Sequence, residues 1–215
     1  MNTVRAVAFI DGQNLYRGVK QAFGCSFPNY DVQALSRAVC ALKGWALTGI
    51  RFYTGIPARR DDPFWHGFWA AKLLAMSRSG IRVFTRQLRD RRKTVMVPDD
   101  PAFGSMAGKR FSFVVREEKG IDVRIALDMI RLCHQRAYDA ALVFSQDQDL
   151  SEAAADVRSA GRALGRRVCI ASAFPIAAGY GNRRGINGTD WIPLTREFYG
   201  RCIDPRDYRP GAGDA

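Results

Sequence analysis

Histidine is nearly missing from this chain: His66 and His134 are the two in 215 residues. Cysteine is sparse, with five residues (Cys25, Cys40, Cys133, Cys169 and Cys202) and no C-x-x-C spacing. Scattered ligands of this kind argue against a zinc site, and the odd cysteine count argues for a reducing compartment. Long apolar runs are missing too. Residues 6–10 end in Asp11, and the longest uncharged stretch, 168–182, is broken by Pro175, Gly179 and Gly181. It falls short of the ~20 residues a membrane helix needs. No secretory signal is visible, so the expectation is a cytoplasmic protein with no membrane contact. No G-x-G-x-x-G follows the first apolar run, which argues against a dinucleotide enzyme. The near-match to a P-loop at Gly104 to Lys109 is one residue short and is followed by Arg110 rather than Ser or Thr, so it is set aside.

Acids are also in deficit. Lys and Arg number 33 against 21 Asp and Glu, a formal net charge of +12. That excess favours a polyanionic partner such as nucleic acid, although arginine can equally do no more than solvate a surface. Hydrophobic residues make up 47% of the chain, enough to fill a globular core. No internal repeat or linker divides the sequence, so one domain is expected over about residues 1–200, with a basic hairpin insertion at about 87–115 and a mobile tail over 201–215.

What is present is an alternation of short apolar runs and helical periods. Strands are expected at 4–10, 50–54, 81–85, 141–144 and 167–171, with a short edge element within 186–194. Helices are expected at about 14–24, 31–43, 61–77, 122–135 and 150–164, Asp31 capping the second. The second helix carries Leu35, Val39 and Leu42 on one stripe, and the third carries Phe64, Phe68, Lys72 and Met76 in one row. Trp65 and Trp69 cluster there with Phe64; such aromatics can stack on bases, but at helical spacing they are more often core. Segments 94–97 and 110–115 are expected to pair as a hairpin. Strand alternating with helix argues for a mostly parallel α/β sheet with right-handed crossovers.

The chain is organised around Ala141-Leu142-Val143-Phe144-Ser145-Gln146-Asp147-Gln148-Asp149-Leu150. A buried strand ends there in a polar loop with two carboxylates. Ligands of open parallel sheets bind outside the carboxyl ends of the strands, and paired carboxylates repel unless a cation lies between them. The plainer reading is that Asp149 caps the next helix and Asp147 is a solvated loop residue. Asp11 likewise ends a strand, and Asp122 opens the helix before the acidic loop. If the first and fourth strands are neighbours, Asp11, Asp122, Asp147 and Asp149 meet at one edge. An all-oxygen set of this kind suits Mg²⁺ or Mn²⁺, which can acidify a water and shield a phosphodiester. Asp128 lies six residues after Asp122, about 240° around the helix, and is read as supporting or structural. Arg86, Arg89, Arg91, Arg92 and Lys93 form the densest positive patch, a phosphate contact or a solvated loop.

Three segments carry a resemblance: Phe9-Ile10-Asp11-Gly12-Gln13-Asn14-Leu15, Lys119-Gly120-Ile121-Asp122 with Asp128-Met129, and Ser145-Gln146-Asp147-Gln148-Asp149. In order and spacing they resemble the motifs of the NYN domain family, PIN-like ribonucleases that include the LabA/DUF88 group, over about residues 4–172. The resemblance implies a PIN-like Rossmannoid three-layer sandwich and metal-dependent RNA cleavage leaving 5′-phosphate and 3′-hydroxyl ends. It implies Asp11, Asp122, Asp147 and Asp149 as catalytic and metal-binding residues, with Asn14 and Ser145 positioning substrate. RNA is then the expected partner of the basic patch and of Lys119, and a homo-oligomer is possible. The family usually has small residues where Gln146 and Gln148 stand, and Phe at Leu150. The bulkier amides are expected to narrow the pocket or alter substrate access. They also keep open a rival role, a non-catalytic RNA-binding or regulatory protein on the same fold. A small-molecule phosphohydrolase with a strand-end Asp nucleophile wants a second Asp where Gln13 stands, which argues against it.

Overall fold

The computed structural model of the chain describes residues 3–179 and 181–211. Strand β1 (Arg5–Asp11) is buried on both faces beyond its first residue. Its alternation divides the core, as the two-residue period of a strand requires. Ala6, Ala8 and Ile10 join one hydrophobic cluster, while Val7 and Phe9 join another. The first cluster packs helices α1 (Gly12–Phe23), α2 (Val32–Leu42) and α3 (Pro63–Arg78) on one side of the sheet. The second packs α4 (Ile121–His134) and α5 (Leu150–Ala163) on the other. Helices therefore cover both faces of a central sheet, the three-layer α/β arrangement expected.

That sheet has six strands in the order β3-β2-β1-β6-β7-β8, every neighbouring pair parallel. The strands are β2 (Ala46–Ile56), β3 (Arg82–Gln87), β6 (Ala140–Phe144), β7 (Cys169–Pro175) and β8 (Asp190–Leu194). The chain winds outward from β1 through β2 to β3, then returns to β6 on the other side of β1 and winds out to β8. A crevice opens where winding reverses, at the carboxyl ends of β1 and β6. Their register, Ala6 against Ala140 through Ile10 against Phe144, brings Asp11 and Ser145 to the same level of the sheet edge. A short helix α6 (Arg196–Gly200) follows β8.

Two expectations, for Leu42 and for the tail, are corrected, and two others are filled in. The basic run, for which a solvated loop was one open reading, lies in a hairpin: β4 (Arg89–Met96) pairs antiparallel with β5 (Arg110–Glu117) as a two-stranded ribbon outside the main sheet. Leu42 is 64% exposed: it is the last residue of α2, and Val39 and Cys40 before it are the last of the helix to reach the core. The α3 row holds a buried cation: Lys72 is enclosed, donates to the Tyr30 carbonyl at 3.0 Å and lies 3.4 Å from the Asp204 carboxylate. Burial pulls the Lys72 pKa down to about 8, and Asp204 works against that fall. The same contact corrects the tail. Residues 201–211 pack on the body through buried Cys202 and Asp204, a bridge from Ile203 to Tyr30, and Tyr208 against Phe68. The chain there carries polar groups that pair inward, and proline, glycine and arginine content alone does not reveal such pairing. Residues 212–215 lie outside the described part.

Candidate active site

Asp11 ends β1 and also caps α1. Its Oδ1 accepts from the Asn14 backbone N–H at 3.0 Å, which makes Asp11 the N-cap of the helix. Gly12 permits the tight exit: a Cβ there would sit 2.5 Å from the Phe52 ring. Asp11 is 7% exposed. Burial, reinforced by the Asp147 charge, pushes its pKa up to about 6, against the Asn14 N–H and Arg17.

Asp11, Asp122 and Asp147 line one cavity of about 430 Å³. They arrive from three separate elements: the end of β1, the first turn of α4 and the loop after β6. Gly120, at φ 78°, is the N-cap of α4 and makes no side-chain bond, and Asp122 stands in the first turn. A fourth acid, Glu118, lines the same cavity. Burial, together with Asp11 and Asp122, pushes its pKa up to about 7. Its Oε2 accepts from the Gly55 N–H at 3.0 Å, an approach a Cβ on Gly55 would block at 2.8 Å. Sequence reasoning missed Glu118, which reads as one charge in a run of charges at a hairpin's end. Arg17 and Lys93 also reach this cavity.

The other expected residues fall into place differently. Asp149 is exposed and lies outside the residues that line the cavity. It sits at the cap position of α5 without a side-chain cap, and its backbone N–H donates to Asp147 Oδ1 at 3.1 Å. Ser145 is buried; its Oγ lies 3.5 Å from Asp11 Oδ2 and accepts from the Asp147 N–H at 3.1 Å. Asn14 lines the cavity while its Oδ1 accepts from the Gln146 N–H at 2.9 Å. Both residues thus tie the acidic loop to β1 and α1. Asn14→Ala is expected to cost about 1–2 kcal/mol, since it leaves that N–H unsatisfied; urea unfolding measures it, and no change would show the contact to be dispensable.

The glutamines do not narrow the cavity. Gln146 Nε2 donates to the carbonyls of Asn182 and Arg184, and Gln148 Nε2 donates to that of Gly185 at 3.0 Å. Gln148 Oε1 accepts from the Asn187 N–H at 3.1 Å. They pin the segment before β8, and their length serves that reach. Asp128 is structural. Its carboxylate accepts from Tyr53, Arg51, Arg124 and Arg131 at 2.9–3.1 Å.

In the basic patch, strand alternation separates the side chains. Arg89, Arg91 and Lys93 share one face of the ribbon with Phe111, Phe113 and Val115, while Arg92 lies on the other. Lys93 and Val115 line the acid cavity, so the first face fronts it. Arg86 on β3 lies over the Phe84 ring at 5.5 Å. Lys119 is exposed and outside the lining residues. A larger cavity of about 610 Å³ lies elsewhere, against Arg158, Arg162 and Arg167, and brings no cluster of acids together.

The donor set is all oxygen, like-charged and partly desolvated, which in chemistry fits a hard divalent cation. Among the described residues, no three carboxylates, thiols or imidazoles are gathered closely enough to form a metal-holding group.

The fold defines the class: a doubly wound α/β protein, with Asp11, Asp122, Asp147 and Glu118 lining the crevice where strand winding reverses. A model of the NYN domain matches residues 5–178. The chain belongs to the NYN domain family, a family of PIN-like nucleases. A protein of unknown function from Vibrio parahaemolyticus shares the fold, at TM-score 0.52 and 17% identity, covering 91% of this chain and 96% of that one. Acinetobacter baumannii MurG is a weaker likeness, at TM-score 0.32 and 10% identity over 88% of this chain and 45% of that one. No curated protein matches the chain. Among the described residues, no helix is long and apolar enough to cross a membrane.

Proposed function

We propose that this chain is a ribonuclease that hydrolyses RNA phosphodiester bonds with the help of Mg²⁺ or Mn²⁺. One observation carries the reading: Asp11, Asp122, Asp147 and Glu118 line a single cavity at the switch point of the sheet, although burial and neighbouring carboxylates oppose the charge of Asp11 and Glu118. Such a cost is retained where the charge is used. Asp11, Asp122 and Asp147 would hold the ion. When bound, the ion offsets negative charge on the phosphate under attack and acidifies water. Asp149 would act from outside the cavity, on the rim of the acidic loop. Glu118, with Oε2 held by Gly55, keeps Oε1 to take or return a proton near neutral pH. Lys93 and Arg17 hold phosphates that flank the one being cut, with Arg89 and Arg91 continuing the cationic track along the ribbon and Arg86, Arg92 and Lys119 adding positive field around it. Ser145 and Asn14 keep the acidic loop in register. Attack by water forms a P–O bond and breaks the bond to the 3′-oxygen, leaving a 5′-phosphate and a 3′-hydroxyl.

A non-catalytic RNA-binding role on the same scaffold is favoured by one observation, the lack of a gathered three-ligand group among the described residues. Incubation of purified protein with end-labelled RNAs and Mn²⁺ separates the two. The nuclease reading expects cleavage that a chelator stops and that Asp147→Asn reduces at least ~100-fold. Salt-sensitive binding with no turnover under any divalent ion would establish the binder instead.

A further inference from the structure

Beside the acids lies a second cavity, of about 330 Å³, lined by Tyr16, Trp65, Trp69, Leu88, Gln13 and Arg17. Gln13 and Arg17 line the acid cavity as well, so the two hollows share one partition. We infer that this second hollow is a nucleobase subsite, which takes the unpaired base of a nucleotide adjoining the scissile phosphate. The inference rests on the proposed hydrolysis of RNA for the direction in which the strand runs; the pocket's own chemistry identifies the base.

The walls are mainly aromatic and apolar, which suits the faces of a base, and the one acid on them, Asp62, accepts from the Trp65 backbone N–H at 3.1 Å. They are also braced. Trp65 is backed by Phe27, Phe64 and Phe68, with ring centroids 5.3–5.7 Å away. Trp69 is backed by Phe68 at 5.6 Å and Phe52 at 6.0 Å. Rings held from behind lose little freedom when a ligand arrives. Tyr16 lies 6.1 Å from Trp65 and is tilted 52° to it, so a base stacks on one wall rather than between two. Its hydroxyl donates to the Ser26 carbonyl at 2.6 Å, which fixes the ring.

The rim supplies what a nucleotide carries besides its base. Arg17 and Lys20 are exposed at the pocket, and both suit phosphate. At the partition, Gln13 Nε2 donates to the Gly55 carbonyl at 3.3 Å and its Oε1 accepts from Arg17 at 3.3 Å. A primary amide has two N–H groups, so one remains for an acceptor on a base edge. A paired base has its faces stacked and its edge occupied, and it cannot enter such a hollow without leaving the helix. The subsite therefore selects unpaired RNA. An aromatic stripe at helical spacing would ordinarily be core, and Trp69 is buried accordingly at 6% exposure; Trp65, half-buried, turns its remaining surface to the pocket.

Tryptophan fluorescence tests this without any cleavage. In EDTA, a single-stranded tetranucleotide and, at higher concentration, AMP, CMP, GMP and UMP are expected to quench the protein saturably. A duplex of matched sequence is not. Trp65→Phe should remove the saturable component. Tyr16→Leu should shift the midpoint upward by roughly tenfold, whereas Tyr16→Phe, which keeps the ring, should leave it near the wild-type value. Melting temperatures check that each variant is folded. Quenching that persists in Trp65→Phe, equal quenching by duplex, or a midpoint unmoved in Tyr16→Leu would overturn the subsite. Saturable quenching by a protein that cleaves nothing in Mn²⁺ would sink the hydrolytic reading and leave the subsite standing. Cleavage whose KM is indifferent to Tyr16→Leu would do the reverse.

Discussion

Asp11→Asn is expected to stabilise the metal-free protein while lowering RNA cleavage by at least ~100-fold. Asparagine caps a helix as well as aspartate does, so the bond to the Asn14 N–H survives and the charge alone is removed. The sign follows from linkage. Asp11 has its folded-state pKa raised from 3.8 to about 6, so the folded chain binds the extra proton more readily than the unfolded one. The stabilisation this gives is complete below the unfolded value and is lost as pH climbs through about 6. At pH 8 the buried charge costs on the order of 2–3 kcal/mol, or roughly 5 °C in melting temperature for a domain of this size. In chelator, Asp11→Asn should melt higher than wild type at pH 8 and level with it near pH 4. Mn²⁺ should raise the wild-type melting temperature and leave the variant's unmoved. A variant that melts lower at pH 8, or one that still responds to Mn²⁺ like the wild type, would refute the assignment of Asp11 as a cation ligand.

Asp128→Ala is expected to be among the most destabilising single changes in the fold, by about 3–5 kcal/mol. The Asp128 side chain is 3% exposed, and its partner Arg51 is 12% exposed. Removing the carboxylate leaves that guanidinium and the Tyr53 hydroxyl without their shared acceptor, 3.1 and 2.9 Å away. Arg124 and Arg131 are 37% and 50% exposed, so water compensates them and they contribute little. Burial pushes the Asp128 carboxyl up, but Tyr53, Arg131, Arg51 and Arg124 together hold it below the usual range. A depressed carboxylate contributes stability above its unfolded pKa and loses it as pH falls through the folded value. Wild type should therefore shed this stability in acid, and Asp128→Ala should narrow the gap as pH falls below about 4. Urea unfolding at pH 7 and pH 3 measures both effects. A loss under about 1 kcal/mol at pH 7 would show that the hub behaves like a surface pair. The paired change Arg51→Met with Asp128→Leu should recover much of the loss, because apolar groups of similar volume replace the buried ions.

The three short motifs that resemble the NYN family set acids at the end of β1, the start of α4 and the loop after β6, and Asp11, Asp122 and Asp147 among them line one cavity. The reason is local: a carboxylate after an apolar run, or in the first turn of an amphipathic helix, has its place written in its neighbours. Glu118 had no such mark. It stands in a charged run at the end of the ribbon, and its role depends on Gly55, more than sixty positions earlier, leaving room for it against the backbone. Gln146 and Gln148 were legible as departures but not as clamps, because their partners at 182–187 come from a later crossover. The tail was misread for the same reason: Asp204 and Lys72 look like surface charges until folding buries them together.

The order of the residues by itself determined most of the strands and helices, the burial of β1 and the parallel winding, since periodicity and capping act within a few residues of their cause. Which charges would share a hollow was decided by the tertiary structure alone. Burial, and with it the raised pKa values of Asp11 and Glu118, exists only once β1, β6, α4 and the ribbon have closed water out from between them, and desolvation is a property of that assembled space rather than of any stretch of chain.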